Sequence, residues 1–202
     1  MLILCLDLEG VLVPEIWIEF SQRSGIPELA RTTRDEPDYD KLMRGRLEIL
    51  EHHRLGMPDI QQVIAGMTPL SGAKEFLDAM RARFQVVILS DTFCQFAQPL
   101  MRQLDWPTLF CHELEIATSG AVRGYRLRMQ NHKREAVRAF KQLNFTTVAA
   151  GDSYNDVAML AEADAGIFVH PPANVAAEFP QFPVTRSYAE LEAAILSAAA
   201  RL

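Results

Sequence analysis

Asp7 and Glu9 stand at the end of an unbroken apolar run, Leu2-Ile3-Leu4-Cys5-Leu6, and Gly10 follows them. Continuous apolar runs mark strands buried on both faces of a parallel sheet. Ligands of open α/β folds bind at the carboxyl edge of such strands. Side chains two apart in an extended segment point the same way, so the two carboxylates can share one site. Gly10 frees the backbone to turn. One acidic residue at a strand end is most simply a solvated terminus; two on one side favour chemistry.

Two more apolar runs end in polar clusters. Gln85-Val86-Val87-Ile88-Leu89 leads into Ser90-Asp91-Thr92, and Thr146-Thr147-Val148-Ala149-Ala150 into Gly151-Asp152-Ser153-Tyr154-Asn155-Asp156. Lys133 opens the helix before the third run. Asp7 and Asp152 offer hard oxygen ligands suited to Mg²⁺, which takes one or two carboxylates plus phosphate oxygens and waters. Ser90 and Lys133 can grip phosphate oxygens, and helix starts next to Ser90 and Asp152 would add backbone donors and dipole. A carboxylate nucleophile, a metal, a lysine and hydroxyl donors are what phosphoryl transfer through an aspartyl-phosphate requires. Singly, each of these residues is explained as well by a helix cap or a surface ion pair. The Asp7/Glu9 pair alone would also suit a glycoside hydrolase, against which stand Lys133, Ser90 and the lack of a sugar-binding aromatic platform.

The elements that must position these residues follow from periodicity. After Val13-Pro14 the pattern turns helical: Glu15 to Ser24, stopped by Gly25, then a polar loop Arg31 to Pro37. Asp38 caps a helix running to about Leu55, and Met57-Pro58-Asp59 opens a short helix through Ile64. Residues 14 to 68 thus form a helical block without a strand signal, inserted after the first strand. A turn at Thr68 to Gly72 precedes a helix from Ala73 to Arg83, the second strand, and a helix from Phe93 to Leu104 with Pro99 as a kink. Thr108 to Glu115 and Val122 to Leu127 pair as a hairpin about Thr118-Ser119-Gly120. Helices from about Arg134 to Leu143 and Tyr154 to Glu162 flank the third strand. A strand from Ala165 to Val169, a break at Pro171-Pro172, an edge strand at Phe182-Pro183-Val184 and a helix from Tyr188 to Arg201 complete the chain. Strands alternating with helices of this length imply a parallel sheet with helices on both faces.

Composition narrows the function classes. The 202 residues suffice for one α/β domain with a sizeable insertion or for two small domains. A net charge of -6 and the absence of a basic run exclude a non-specific nucleic-acid binder. No charged leader with a cleavage site and no bilayer-length apolar stretch is present, so no membrane partner is expected and the reading is cytoplasmic. Three cysteines, Cys5, Cys94 and Cys111, without CxxC spacing read as reduced thiols. His52, His53, His112, His132 and His170 show no ligand spacing, although His132, beside Lys133, can line the pocket. Trp17, Phe20 and Met43 read as core. The acidic stretch Asp35 to Asp40 reads as a solvated loop, with a cap hinge or a homodimer contact as the alternatives.

Asp7-Leu8-Glu9-Gly10-Val11, Leu89-Ser90-Asp91-Thr92, Lys133 and Gly151-Asp152-Ser153-Tyr154-Asn155-Asp156 resemble, in order and across the whole chain, the four motifs of the haloacid-dehalogenase-like phosphatases. Within that superfamily the chain is most similar to phosphoserine phosphatases. Leu6 to Glu15 and Pro37-Asp38-Tyr39-Asp40 resemble the branch that also transfers phosphate from phosphoserine to homoserine. The resemblance implies a Rossmann-like α/β core, residues 1–13 and 69–202, and a helical cap, residues 14–68. It implies a Mg²⁺ cofactor on Asp7, the backbone carbonyl of Glu9 and Asp152, with Asp7 as nucleophile and Glu9 as acid and base. Ser90, Asp91, Lys133 and Asn155 would meet the phosphoryl group or substrate, and Asp156 would orient Lys133 or a metal-bound water. Glu15 would meet the amino group and Arg46 the carboxylate of phosphoserine; on sequence grounds alone Arg46 is equally a solvated helix residue paired with Glu48 or Glu51. Two positions depart from the common pattern. Glu9 replaces the usual Asp, moving the carboxylate by about 1.5 Å, as in the bifunctional branch. Asp91 stands where ordinary phosphoserine phosphatases have Gly. A phosphatase for another small phosphoester and a non-catalytic phosphate-binding protein are the alternative functions.

Overall fold

A computed structural model describes residues 1–32, 35–36 and 38–202. Thr33, Arg34 and Pro37 of the expected loop, and with Pro37 part of the Pro37-Asp38-Tyr39-Asp40 stretch, lie outside the described residues. In chain order the elements are β1 (Leu2–Leu6), α1 (Ile16–Ser24), a 3-10 turn (Pro27–Ala30), α2 (Tyr39–His52), α3 (Met57–Ala65), α4 (Ala73–Arg81), β2 (Gln85–Phe93) and α5 (Cys94–Gln103). There follow β3 (Thr108–Ile116), β4 (Val122–Arg126), α6 (His132–Gln142), β5 (Thr146–Gly151), a 3-10 turn (Tyr154–Asp156), α7 (Val157–Glu162), β6 (Ala165–Val169), α8 (Ala173–Glu178), β7 (Val184–Thr185) and α9 (Tyr188–Ala199).

Among the described residues the strands form one sheet in the order β4-β3-β2-β1-β5-β6-β7. All neighbours run parallel except the β3–β4 hairpin. β1 lies between β2 and β5, with Cys5 in register with Val87 and Ala149. Its side chains alternate: Leu4 and Leu6 join the core against α1, α3, α4, α5 and α9, while Ile3 and Cys5 join a second core against α6, α7 and α8. Both faces are covered, which is why the run is apolar without alternation. No described helix is long and apolar enough to cross a membrane.

Local signals account for the helix ends. Gly25 closes α1 at φ 70°, a left-handed conformation that costs glycine little. Asp38 caps α2 by accepting the Lys41 N–H at 3.0 Å, and Ser187 caps α9 through Glu190 N–H at 3.2 Å. The described residues between Pro14 and Thr68 hold helices and turns and no strand.

The structure differs from the sequence reading at four places. β2 does not stop at Leu89; it continues through Ser90-Asp91-Thr92 to Phe93. Leu89 pairs with Phe110 and Phe93 with His112, so β2 carries extra residues over this stretch and bulges. A bulge re-aims side chains beside a site, and this one falls on the expected polar cluster. Residues 8–13 are not extended but folded into a tight loop, with Leu12 and Val13 N–H both donating to Leu8 C=O and Gly10 at φ 77°. Pro171-Pro172 is followed at once by α8, since proline's fixed φ suits a helix start. The segment read as one helix from Tyr154 is a 3-10 turn followed by α7.

Candidate active site

The carboxyl ends of β1 and β2, the start of α6 and residues of α1 and α2 enclose a cavity of about 680 Å³. Asp7, Glu9, Glu15, Arg46, Ser90, Asp91, Lys133 and Asn155 all line it. Asp152 and Asp156 do not line it; they lie behind Asp7, and carboxylate oxygens of these three buried residues come within 4.8 Å of one another.

Lys133 ties the centre together. Its ammonium lies 2.8 Å from Asp156 Oδ1, 3.0 Å from Asp7 Oδ1 and 3.3 Å from Asp91 Oδ2. Burial alone would lower its pKa, but the three carboxylates outweigh that and hold it well above the usual lysine value. Asp156 is fully occupied: one oxygen takes Lys133, and the other takes the backbone N–H groups of Asp152 at 2.9 Å and Ser153 at 3.1 Å. It fixes both the lysine and the loop that carries Asp152. Asp7 accepts from Leu8 N–H at 2.7 Å as well as from Lys133. Burial and the charges of Asp156 and Asp152 push Asp7 up, with Lys133 opposing. Three converging buried carboxylates against one ammonium leave an excess of negative charge, and the donors are hard oxygens: the set fits a small divalent cation.

Gly10 is required here. Besides its positive φ, a Cβ on it would lie 2.5 Å from Asp152 Oδ2, so only glycine lets the loop after β1 approach the aspartate.

Glu9 is half-buried, and its Oε2 accepts the N–H of Ile16, the first residue of α1, at 2.9 Å. Burial pushes its pKa up, with the Ile16 N–H acting the other way. Arg46 is not solvated and pairs with neither Glu48 nor Glu51: it is 7% exposed, its guanidinium stacks 4.5 Å above the Trp17 ring, and Nη2 donates to Arg31 C=O at 2.7 Å. Its Nε is buried without a hydrogen-bond partner. Burial lowers Arg46 to about 10, so it stays charged at neutral pH. Trp17 therefore does more than fill the core with Phe20 and Met43; it lines the cavity beneath Arg46.

Of the two helix starts expected at the cavity, the one after Asp152 lines it through Tyr154, Asn155 and Ala158, and the one after Ser90 does not. α5 begins at Cys94, beyond the Ser90 bulge, and a 3-10 turn follows Asp152. The start of α6 lines the cavity as well, through Asn131, His132 and Lys133. Ser90 is buried, with its Oγ accepting Thr92 N–H at 3.2 Å, and Asn155 Nδ2 donates to Asp91 Oδ2 at 2.8 Å. His112, which the sequence does not single out, stands beside Asp91 together with His132, and Arg128, also not singled out, contacts both rings. Tyr39 of α2 donates its hydroxyl to Asp91 C=O at 3.2 Å.

The model of the haloacid dehalogenase-like hydrolases matches residues 2–164. The chain belongs to that family. Among haloacid dehalogenase-like hydrolases with curated descriptions, it is 60% identical over 199 residues to phosphoserine phosphatase ThrH of Pseudomonas aeruginosa, covering 98% of this chain and 97% of that one. It is 57% identical over 199 residues to a phosphoserine phosphatase of Pseudomonas syringae, covering 98% of this chain and 84% of that one. A substrate-bound phosphoserine phosphatase complex superposes with a TM-score of 0.75 at 20% identity, over 91% of this chain and 92% of that one, a likeness of fold. The mostly parallel sheet and the order of its strands thus agree with the Rossmann-like α/β core of the family.

Proposed function

We propose that this protein is a Mg²⁺-dependent phosphoserine phosphatase that works through an aspartyl-phosphate on Asp7 and also transfers the phosphoryl group to homoserine. The observation that carries the reading is the buried Asp7–Lys133–Asp156 contact set beside Asp152, next to a cavity that Asp7, Lys133 and the Arg46 guanidinium all line. Support for phosphoserine as substrate comes from the two Pseudomonas relatives described as phosphoserine phosphatases.

Asp7, the backbone carbonyl of Glu9 and Asp152 would hold the Mg²⁺, whose charge, when bound, stabilises phosphoryl oxygens and keeps Asp7 ionised against its burial. Asp7 attacks phosphorus and becomes an acyl phosphate. Glu9, whose pKa burial raises, donates its proton to the departing serine oxygen. The same carboxylate then takes a proton from water or from the homoserine hydroxyl as that oxygen attacks phosphorus and restores Asp7. Ser90, Lys133 and Asn155 hold the phosphoryl oxygens. Arg46 receives the substrate carboxylate as a planar fork, and Glu15 its ammonium. Residues 14–68 act as a cap over the core formed by 1–13 and 69–202. Its closure would exclude water at the first step and admit an acceptor at the second.

A single assay tests this: phosphate release from phosphoserine with and without Mg²⁺, and phosphohomoserine formation when homoserine is added. Mg²⁺-dependent release with phosphohomoserine as a second product is expected. Release unaffected by homoserine removes the transferase claim; no release from any phosphoester removes the enzyme claim.

A further inference from the structure

The mechanism above leaves two buried histidines unused. His112 on β3 and His132 at the start of α6 are each 2% exposed, with ring centroids 4.3 Å apart. Both face one oxygen. His132 Nε2 lies 3.0 Å, and His112 Nε2 3.6 Å, from Asp91 Oδ1. Their tautomers are set from behind by Arg128. Its backbone N–H donates to His112 Nδ1 at 3.2 Å, and its guanidinium sits 3.4 Å from His132 Nδ1. Neither group can accept a hydrogen bond, so each Nδ1 must be the unprotonated nitrogen, and each neutral ring carries its proton on Nε2, aimed at Asp91.

On its other side Asp91 is an acceptor for the phosphoryl-binding groups: Oδ2 takes Lys133 at 3.3 Å and Asn155 Nδ2 at 2.8 Å. Burial works to raise Asp91, but the Lys133 charge and the two ring N–H groups outweigh it and hold the carboxylate well below its usual range. Lys133 has three N–H bonds and three carboxylate neighbours, so removing Asp91 would free the ammonium to swing toward Asp7 and Asp156. Asn155 is exposed on a 3-10 turn, and Asp91 tethers its amide.

We propose that Arg128, His112 and His132 form a clamp of positioning residues that fixes Asp91 as the acceptor aiming Lys133 and Asn155 at the phosphoryl site. This rests on the phosphoryl-transfer reading above. An Asp-His-His group is also a set of metal ligands, but here the Arg128 contacts oppose that use. A metal on either Nε2 would require the proton on Nδ1, pointing into the Arg128 donors, with the Lys133 ammonium adjacent. The clamp gives a physical reason for an Asp at position 91: the carboxylate is tolerable beside a phosphate only because four donors hold it.

The test separates clamp from function. Nitrogen-15 NMR of the histidine-labelled protein near pH 7 is expected to show His112 and His132 as neutral Nε2–H tautomers, and added Co²⁺ is expected to produce no histidine-ligand absorption. Nδ1–H tautomers, or a Co²⁺ complex lost in His132→Leu, would overturn the clamp. Binding of inorganic phosphate in Mg²⁺ and turnover of phosphoserine are then compared. In His132→Leu, kcat should fall roughly 10- to 100-fold and phosphate binding weaken, with KM within about threefold, while His132→Gln, which returns an N–H near the Nε2 position, recovers most of both. Asp91→Asn should reproduce the loss and covers the case in which His132→Leu fails to fold. Equal damage in the Leu and Gln variants, or no change in either, overturns the proposal. A wild type that binds phosphate but does not turn over phosphoserine removes the functional reading and leaves the clamp decided by the NMR and phosphate-binding results.

Discussion

Glu9 Oε2 accepts the backbone N–H of Ile16 at 2.9 Å, so the carboxyl group beside Asp7 also closes the first turn of α1. The first N–H groups of a helix lack internal partners, and Glu15 at the N-cap supplies no side-chain bond to them. Glu9 reaches across seven residues to do so; an Asp would fall short by about 1.5 Å. The added methylene couples the proposed acid/base group to the entry of the helical segment.

Glu9→Asp is therefore expected to cost both rate and stability: a kcat on phosphoserine lower by roughly 10- to 100-fold, and about 1 kcal/mol from the lost helix-start bond. Glu9→Gln keeps an oxygen for Ile16 but carries no transferable proton, so kcat should fall about 10²- to 10⁴-fold with the melting temperature unchanged. Steady-state kinetics and thermal melts of the two variants side by side check this. A Glu9→Asp protein as stable and as fast as wild type would refute the coupling.

Asp7→Asn should abolish turnover of phosphoserine, because an amide is not a nucleophile toward phosphorus. Lys133 keeps Asp156 and Asp91 as partners, so the variant should still fold. Phosphate release, measured to at least 10³-fold below wild type, is the readout; full activity would transfer the nucleophile's role elsewhere.

Arg46→Ala should raise KM for phosphoserine by roughly tenfold or more while sparing a generic aryl phosphate, which has no carboxylate for the fork to receive. Removing a guanidinium stacked on Trp17 also exposes that ring, so a modest loss of thermal stability is expected. Equal losses on both substrates would count against a substrate-specific role.

The central strands were readable because β1, β2 and β5 are buried on both faces and so carry continuous apolar runs, each ending at a polar cluster. The course of β2 through Ser90, Asp91 and Thr92 was not. Those residues carry turn chemistry, and it is pairing of Phe93 with His112 across the sheet that keeps them in the strand. Arg46 was balanced between solvent and substrate in the sequence; burial above Trp17 decides that it faces the cavity, and periodicity cannot distinguish a ring that fills a core from one that also lines a pocket. His112, Arg128 and His132 occupy a strand, a loop and a helix start. The two histidines, 20 positions apart in the chain, meet at Asp91 Oδ1 only through the fold, so no spacing could reveal the group.

Gly10→Ala should weaken Mg²⁺ activation more than it weakens folding. The left-handed φ costs a non-glycine residue about 1 kcal/mol, and the new methyl would meet Asp152 Oδ2 at 2.5 Å, pushing a proposed ligand off its position. The Mg²⁺ concentration for half-maximal activity should rise at least several-fold. An unchanged Mg²⁺ dependence would remove Asp152 from the ligand set.

Asp164, remote from the proposed chemistry, should govern part of the acid stability. Its Oδ2 accepts Thr147 N–H at 2.8 Å and the Thr147 hydroxyl at 3.0 Å, and its Oδ1 lies 3.0 Å from Lys141. Burial alone would raise its pKa; these partners outweigh it and lower it below the usual Asp value. A folded-state pKa below the unfolded one means that the stabilisation is complete above about pH 4 and is lost as pH falls through the folded value. Asp164→Ala should cost about 1–2 kcal/mol at neutral pH, toward the lower end because the residue is partly in water. The gap between wild type and variant in denaturant melts should stay level from neutral pH down to about pH 5 and close below about pH 4. A gap independent of pH would assign the loss to packing at Thr147, not to the charge.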